Sequence, residues 1–295
     1  MDTQLLSAFI KVAEHQSFSI AADQMGLTQS AVSKRIALLE EQVTQPLFDR
    51  IGRQIFLTYA GKALWPRAKD ILDAIKDTQR FMLAQQGDVK GELRLATSHH
   101  IGIHRLPPIL TAYTQQHPNV HLQLHFIDSE SASHAILHGE FDLAVITLPK
   151  VIDKDGSSNI QYHPLWEDPM NIVVHHKHPL KGRKNVTLQD LSTYPAILPD
   201  ISTRTTQLVQ QLFSEKQLAL NITMTTNHLD AIKMMVSVGL GWSTLPERLL
   251  DKTLHTLPTA GIHLTRELGC LHRRHRTLSN AAREMLRHLK IKYEK

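Results

Sequence analysis

The sequence predicts an all-α winged helix-turn-helix domain at the N-terminus, then one long linker helix, then an α/β domain. Three observations predict it. Apolar residues fall at helical spacing as far as about residue 41, and a short alternating segment with a central glycine follows. From Leu64 to Met82 apolar residues step by four and three. Beyond Gly91, short alternating strands and amphipathic helices take turns, which is the pattern of stacked α/β layers. The 295 residues have room for about two domains. The expected boundaries are 1–58 for the winged domain, 59–89 for the linker helix and hinge, and 90–295 for the α/β domain.

Leu5, Leu6, Phe9, Ile10, Val12 and Ala13 recur at helical spacing and give a first amphipathic helix. Ser17-Phe18-Ser19 interrupts it, and a short helix follows over residues 20–25. Gly26 suits the positive φ of a helix end and Thr28 suits the N-cap of the next helix. That helix runs from Gln29 to about Glu41, with Val32, Ile36 and Leu39 as its buried stripe. Two short helices joined by a tight turn make a helix-turn-helix. The second helix presents small and amide-bearing side chains at its start, where such helices meet base edges. Gln29 can pair with adenine; Ser30 and Ser33 can reach bases or phosphates. Lys34 can reach guanine or phosphate, and Arg35 phosphate. The competing reading is a helical bundle with a solvated polar face. Around Gly52, the alternation of Ile55 and Leu57 makes a hairpin wing, which places Arg50 and Arg53 against a backbone or a minor groove. The DNA-contact candidates are therefore Thr28, Gln29, Ser30, Ser33, Lys34, Arg35, Arg50 and Arg53.

At this point the residues carry a resemblance. Ala21-Ala22, the run Thr28 to Ser33, Leu38-Leu39-Glu40, the run Pro46 to Arg50, and Leu57-Thr58 with Ala60-Gly61 resemble the LysR-type transcriptional regulators. The match is nearly unbroken over residues 5–65. It implies a regulator whose paired domains bind a long, partly palindromic site on double-stranded promoter DNA.

Leu64, Ala68, Ile71, Ile75, Thr78 and Met82 read as a coiled-coil seam of about three heptads, with Pro66 expected to kink the helix or mark its first turn. The alternative is a surface helix packed on its own domain. In the resembled family this helix pairs protomers, so self-association as a dimer, completed to a homotetramer, is expected. The segment from Gly87 to Gly91 breaks the helix as a hinge.

Strands are expected at 92–96, 120–126, 142–146, 161–165, 170–175, 196–198, 222–225, 241–244 and 267–272. Helices are expected at 101–117, 132–138, 188–191, 204–216, 229–238 and 278–289. Such alternation implies a mainly parallel sheet. The order resembles the family's effector domain, notably in the run Gly139 to Ala144, which is similar to its G-x-x-D-L-A pattern. The resemblance implies two α/β lobes of the periplasmic-binding-protein type. Lobe I would comprise 90–163 and 267–295, and lobe II 164–266. A small polar or anionic effector would sit between them, at the carboxyl ends of strands. Ser98, His99, His100, Ser129, Thr147, Ser202, Thr203 and Arg204 are the candidate lining residues. Several fall near helix N-termini, which suit an anion; each hydroxyl also reads as a plain N-cap. His100 stands where hydroxyl residues are common in sulfur-related relatives, so their ligand does not transfer.

Composition bounds the alternatives. Apolar types make up 42% and charged types 21%, an ordinary globular balance. No apolar run suits a membrane span and the start lacks a secretory pattern, so a cytoplasmic protein without membrane partners is expected. The basic surplus is concentrated late: residues 266–295 carry nine Lys and Arg against three Asp and Glu. Arg283 and Arg287 there read as the solvated face of an amphipathic helix. Nineteen histidines, including His99-His100, His175-His176 with His178, and His272 with His275, lack metal-finger spacing, so neither metal nor cofactor is expected. The single cysteine, Cys270, excludes an internal disulfide. A solute-binding module with a helical interaction domain is the alternative. No nucleophile–base arrangement supports an enzyme.

Overall fold

The computed structural model describes residues 2–52, 54–84, 88–150, 159–259, 261–274 and 276–291. Arg53, Gly87, His275 and Lys292 lie outside them, and only the backbone of Arg50 is described. The chain divides into two compact units, Met1–Gln86 and Gly87–Lys295.

In the first unit, α1 (Thr3–His15) starts on Asp2, whose carboxylate accepts the Gln4 N–H at 3.0 Å. Ser17 caps α2 (Phe18–Met25) in the same way, bonding Ile20. Gly26 ends α2 with φ +63, a value glycine adopts without a Cβ penalty. Thr28 caps α3 (Gln29–Val43) through the Ala31 N–H at 3.2 Å. The core joins Leu6, Phe9 and Val12 of α1 to Ala21 and Ala22 of α2 and Val32, Ile36 and Leu39 of α3. The small residues Ala21 and Ala22 let these helices approach closely. The wing is β1 (Phe48–Ile51) against β2 (Gln54–Leu57), antiparallel, with Phe48 opposite Leu57. Glu40 fixes it by accepting the Leu47 N–H at 2.7 Å. The hydroxyl of Thr58 donates to the Pro46 carbonyl at 2.7 Å and accepts the Gly61 N–H at 3.0 Å. That starts α4 (Tyr59–Ala84), whose 26 residues span about 39 Å. Pro66 is its eighth residue, and the helix runs through it rather than beginning there. The seam read from the sequence divides: Ala68 is fully buried in the unit's own core, whereas Ile71 and Met82 are exposed.

The second unit is built on a seven-stranded sheet. In chain order its elements are β3 (Gly91–Thr97), α5 (His99–His104), α6 (Pro107–Gln116), β4 (Val120–Phe126), α7 (Ser129–Leu137), β5 (Leu143–Thr147), β6 (Ile160–His175), α8 (Leu188–Ser192), β7 (Ala196–Leu198), α9 (Arg204–Glu215), β8 (Ile222–Thr225), α10 (Leu229–Ser237), β9 (Ser243–Pro246), β10 (Leu254–Thr256), β11 (Leu264–Arg273) and α11 (Asn280–His288). Strand order is β10-β6-β11-β5-β3-β4, with β9 also on β6; β7 and β8 form a separate parallel pair.

Three expectations change here. The large sheet is mixed rather than mainly parallel: β3 pairs in parallel with β4 and β5, but every pairing of β6 and β11 is antiparallel. These two strands carry the chain out to the second lobe and back, so they must run in opposite directions. The strands expected at 161–165 and 170–175 are one strand, β6. Pro164 and Pro169 suggest a break, yet Pro164 stands opposite Gly269, where the register shifts and no ladder N–H is needed. The helix expected over 101–117 is two, because Pro107 and Pro108 lack the N–H groups that would continue the ladder of the first helix and instead fill the opening positions of a second.

The fold is two-lobed. In the first lobe, α6 and α11 cover one face of β3, β5 and β11 through Leu93, Leu95, Tyr113, Met285 and Leu286. On the other face α7 packs Ala132 and Ile136 against Ala144, Ile146 and Leu271. Residues 143–146 are buried on both faces, as a central strand requires. The second lobe has its own cores, one around Trp242, Phe213 and Val209 and one around Ile232, Val236 and Leu245. Among the described residues no helix is long and apolar enough to cross a membrane.

Candidate functional site

The helix-turn-helix presents its polar face as the sequence spacing requires. Val32, Ile36 and Leu39 point into the core, so Gln29, Ser30 and Lys34 are exposed and Ser33 is half-buried. Two candidates already have partners inside the unit. The Thr28 hydroxyl caps the helix and lies 3.0 Å from the Ser30 hydroxyl. The Arg35 guanidinium donates to Gln4 Oε1 at 2.9 Å, which ties α3 to α1. Gly52, with φ +64, shapes the tip of the wing just after β1.

The second site is a cleft between the lobes. Ser98, His99 and His100 reach it from the start of α5, Ser129 and Glu130 from the start of α7, and Thr147 from the end of β5. Thr203, Arg204 and Thr205 face them from the second lobe, with Asn227 and Leu229, and Arg266 comes from β11. An adjoining chamber shares Ser129, Glu130, Thr147 and Arg204 and adds Ser202, Lys150 and Gln207. All eight residues named from the sequence therefore line one chamber or the other.

Their hydroxyls are not equally available. Thr203 Oγ1 donates to the Asp200 carbonyl at 2.7 Å and accepts the Thr206 N–H at 3.3 Å, so it is committed to capping α9. Ser202 donates to the Asp200 carboxylate at 2.7 Å. Ser129 accepts the Thr147 N–H at 3.2 Å. Ser98 occupies the N-cap of α5 yet makes no capping bond with its side chain. The lobes touch at the rim: the His99 and His228 rings are 4.6 Å apart, and His104 Nε2 is 3.9 Å from Asp230 Oδ1. Burial in the cleft pushes the Glu130 carboxyl above its ordinary value, against hydrogen bonds from its own N–H and that of Arg204.

Beneath the cleft lies a buried charge cluster that sequence reasoning missed. Asp168 of β6 stands directly opposite Arg266 of β11. Its Oδ2 accepts from Arg266 at 2.5 Å and its Oδ1 from Arg105 at 3.0 Å. Arg266 also donates to Thr205 at 2.9 Å, and so links the crossing strand to α9. Burial opposes charge on Asp168, but its contacts with His100 and Arg266 outweigh that and hold the carboxyl well below the usual range. Two guanidiniums thus share one carboxylate. His100 Nε2 lies 3.8 Å from Asp168 Oδ2, beyond hydrogen-bond distance. Burial pulls this imidazole below its ordinary value; the Asp168 contact opposes that and the Arg266 charge reinforces it.

The histidine and cysteine signals have other surroundings. Among the described residues no group of three or more His, Cys, Asp or Glu is placed to hold a metal. His163 and His272 face each other, Nε2 to Nε2 at 3.0 Å. Cys270 is fully buried in the first-lobe core, and burial pushes its thiol up.

Residues 86–293 match the family model described as the LysR substrate binding domain, and residues 3–62 match that of the bacterial regulatory helix-turn-helix protein, lysR family. The chain belongs to the LysR-type transcriptional regulators. This LysR-type protein is a DNA-binding transcriptional regulator with an effector-binding domain, and not an enzyme. It is 30% identical over 255 residues to the HTH-type transcriptional activator CmpR of Synechocystis sp., covering 86% of this chain and 80% of that one. Its fold is similar to a full-length OxyR variant from Pseudomonas aeruginosa, with a TM-score of 0.71 and 19% identity, covering 98% of this chain and 96% of that one. It is also similar to CbnR solved with its target DNA, with a TM-score of 0.65 and 21% identity, covering 98% and 99% of the two chains. At such identities the solved structures speak for the fold.

Proposed function

We propose that this regulator recognises a specific promoter sequence through α3 and responds to a small polar or anionic effector held between its lobes. Gln29, Ser30, Ser33 and Lys34 reach base edges or phosphates of double-stranded DNA, with Thr28 and Arg35 setting the pose of the helix and Arg50 and Arg53 contacting the flanking backbone. The division of labour is 1–58 for DNA, 59–89 for pairing and hinge, and 90–295 for the effector, with lobe I at 90–163 and 267–295 and lobe II at 164–266. The exposed Ile71 and Met82 of α4 support self-association through the linker helix into a dimer, which effector-domain contacts complete to a homotetramer. The cytoplasm is the compartment that such a DNA-binding role requires.

The observation that carries this reading is the convergence of Ser98, His99, His100, Ser129, Thr147, Ser202, Thr203 and Arg204 on adjoining chambers of one cleft. They come from four separate chain segments, in a protein that also carries an exposed helix-turn-helix face. Arg204 and Arg266 supply positive charge there, and Ser98 supplies an uncapped hydroxyl. The effector acts only if it binds one arrangement of the lobes or subunits better than another.

The test is footprinting of the full-length protein on sheared source DNA at near-physiological salt, followed by titration of a selected site. Lys34→Ala is expected to weaken binding about uniformly across sequences and to lower the salt slope by about one. Ser33→Ala is expected to relax sequence preference without altering assembly. Diffuse, salt-labile binding by the unaltered protein, or titrations that neither variant changes, would overturn the assignment of α3.

A further inference from the structure

We propose that the effector is an oxyanion bound together with a proton: His100 becomes an imidazolium as the anion enters, and affinity climbs as pH falls. The inference rests on the anionic-effector reading of the cleft and adds how that cleft is charged.

Its ground is geometric. The His100 side chain is only 6% exposed, yet neither ring nitrogen has a hydrogen-bond partner, and the ring lines the cleft. A buried polar group without a partner is uncommon in a folded protein and points to a partner supplied from outside. The nearest carboxylate, Asp168, is 3.8 Å away and already bonded to Arg266 and Arg105. It cannot serve as a full counter-ion for a third cation. In the empty cleft a proton on His100 would add to two guanidiniums neutralised by one carboxylate, so the ring stays neutral. An oxyanion beside it reverses that balance.

The groups around the ring are few. His104 on the same helix has its ring 5.3 Å away, and Arg105 follows it. Asp168 comes from β6 and Arg266 from β11. Glu130 and Arg204 face the ring's side of the cleft from α7 and α9. Asp128 lines the cleft beside Glu130. Burial displaces both Glu130 and Arg204 toward their neutral forms; an incoming anion would push Glu130 further the same way and Arg204 back toward its charged form. Glu130 is therefore the competing proton acceptor. In the bound state one imidazolium N–H points to Asp168 and the other to the ligand. The proton comes from the buffer to the ring nitrogen that lacks one, and no bond to the ligand is made.

The sign follows from linkage. His100 is depressed in the free protein and raised by a bound anion, so the complex holds more protons than its parts between those two values. Affinity must rise as pH falls through that window, by at most about tenfold per pH unit for one proton.

The test uses the full-length regulator and inorganic sulfate, which stays fully ionised from pH 5 to 8, with methanesulfonate as a second probe. Calorimetry in two buffers of different ionisation enthalpy counts protons. Net proton uptake, at most one per sulfate, is expected on binding, with the dissociation constant tightening as pH falls from 7.5 to 5.5 by at most about tenfold per unit. Uptake is expected to persist in Glu130→Gln and to vanish in His100→Gln and His100→Asn. In the unaltered protein with ¹⁵N-labelled histidine, the signal that His100→Gln removes should move to the imidazolium position on adding sulfate, a readout independent of whether the variants fold. Binding without uptake, or uptake that survives His100→Gln, overturns the proton on His100 and leaves the anionic cleft standing. Failure of both probes to bind at any pH overturns the anionic cleft and this inference with it.

Discussion

Replacing Asp168 with asparagine removes the one anion that Arg266 and Arg105 share. At an effective dielectric of about 20, a unit pair at 2.5–3.0 Å attracts by roughly 5–7 kcal/mol. Desolvation of several kcal/mol per ion offsets most of that, so the intact cluster contributes little in net terms. Removing its anion is another matter, because Arg266 stays charged in a site only 6% exposed. The expected loss is about 3–5 kcal/mol, toward the lower end since the amide oxygen still accepts a hydrogen bond. The assay is urea unfolding of the full chain in a Trp65→Phe background, so that fluorescence comes from Trp166 and Trp242 of the second unit. Trp166 reports directly, because the Arg105 guanidinium lies 5.7 Å from its ring centroid. With a urea slope of about 2–3 kcal/mol per molar, the midpoint should fall by about 1–2 M. The carboxyl is held below its unfolded value of about 3.9, so its contribution is present above that pH and lost as pH falls through the folded value. The gap between variant and unaltered protein should therefore be level from pH 5 to 8 and close only in stronger acid. A midpoint shift below about 0.3 M at pH 7 would refute the reasoning, since it would mean that solvent or movement neutralises Arg266 without Asp168.

Three further outcomes are expected. A Cβ at Gly61 would press into the backbone carbonyl of Leu47, so Gly61→Ala should destabilise the first unit by about 1–3 kcal/mol, visible as a lower melting temperature of that unit. Ile71→Glu with Met82→Glu places charge on the uncovered side of α4 and should raise the subunit dissociation constant at least about tenfold by sedimentation; an unchanged constant would move the pairing surface elsewhere. The imidazole of His163 is pulled down to about 4 by burial and by His272. The unfolded chain therefore binds the proton first, and stability present above about pH 6.5 should decline as pH falls toward 4, by about 1–2 kcal/mol after solvent screening. Chemical denaturation at stepped pH should show that slope, and His163→Gln should flatten it.

The first unit is legible in the sequence because its determinants are local. Gly26 and Thr28 announce a turn through backbone chemistry within three residues, and the stripe Val32, Ile36, Leu39 needs only the helical period. Glu40 is also informative, but only beside a known relative: its contact with Leu47 spans the turn after α3. The second unit is legible as alternation and illegible as direction. Strand polarity depends on where a strand pairs, and β6 pairs with β11 about a hundred residues later. The two prolines of β6 argue against one long strand until the register shift at Gly269 is known. The seam of α4 shows the same limit. Periodicity says that Leu64, Ala68, Ile71 and Met82 share a face, but not that Ala68 is taken by its own core while Met82 is left exposed.

The eight cleft residues were legible because strand ends and helix starts are, and an α/β cleft gathers both. Asp168, Arg266 and Arg105 were not: Asp168 falls in the gap between the strands expected at 161–165 and 170–175, and Arg266 just before the one expected at 267–272. A charge in a strand interior needs a partner, and nothing local in Glu167-Asp168-Pro169 names a residue ninety-eight positions away. The cluster's composition says what it is for. Holding β6 to β11 takes one arginine, Arg266, directly opposite the carboxylate. The second, Arg105, adds no strand contact. It ties the end of α5 to the crossing strand, and α5 is the helix that carries His99 and His100 into the cleft. Any displacement of α5 relative to β6 must therefore stretch a 3.0 Å ion pair in a site that water reaches poorly. A ligand that pulls on His100 works against that pair, while one that merely fills the chamber does not. Only the first kind has different affinities for two positions of α5, which is the condition for a ligand to move the protein at all.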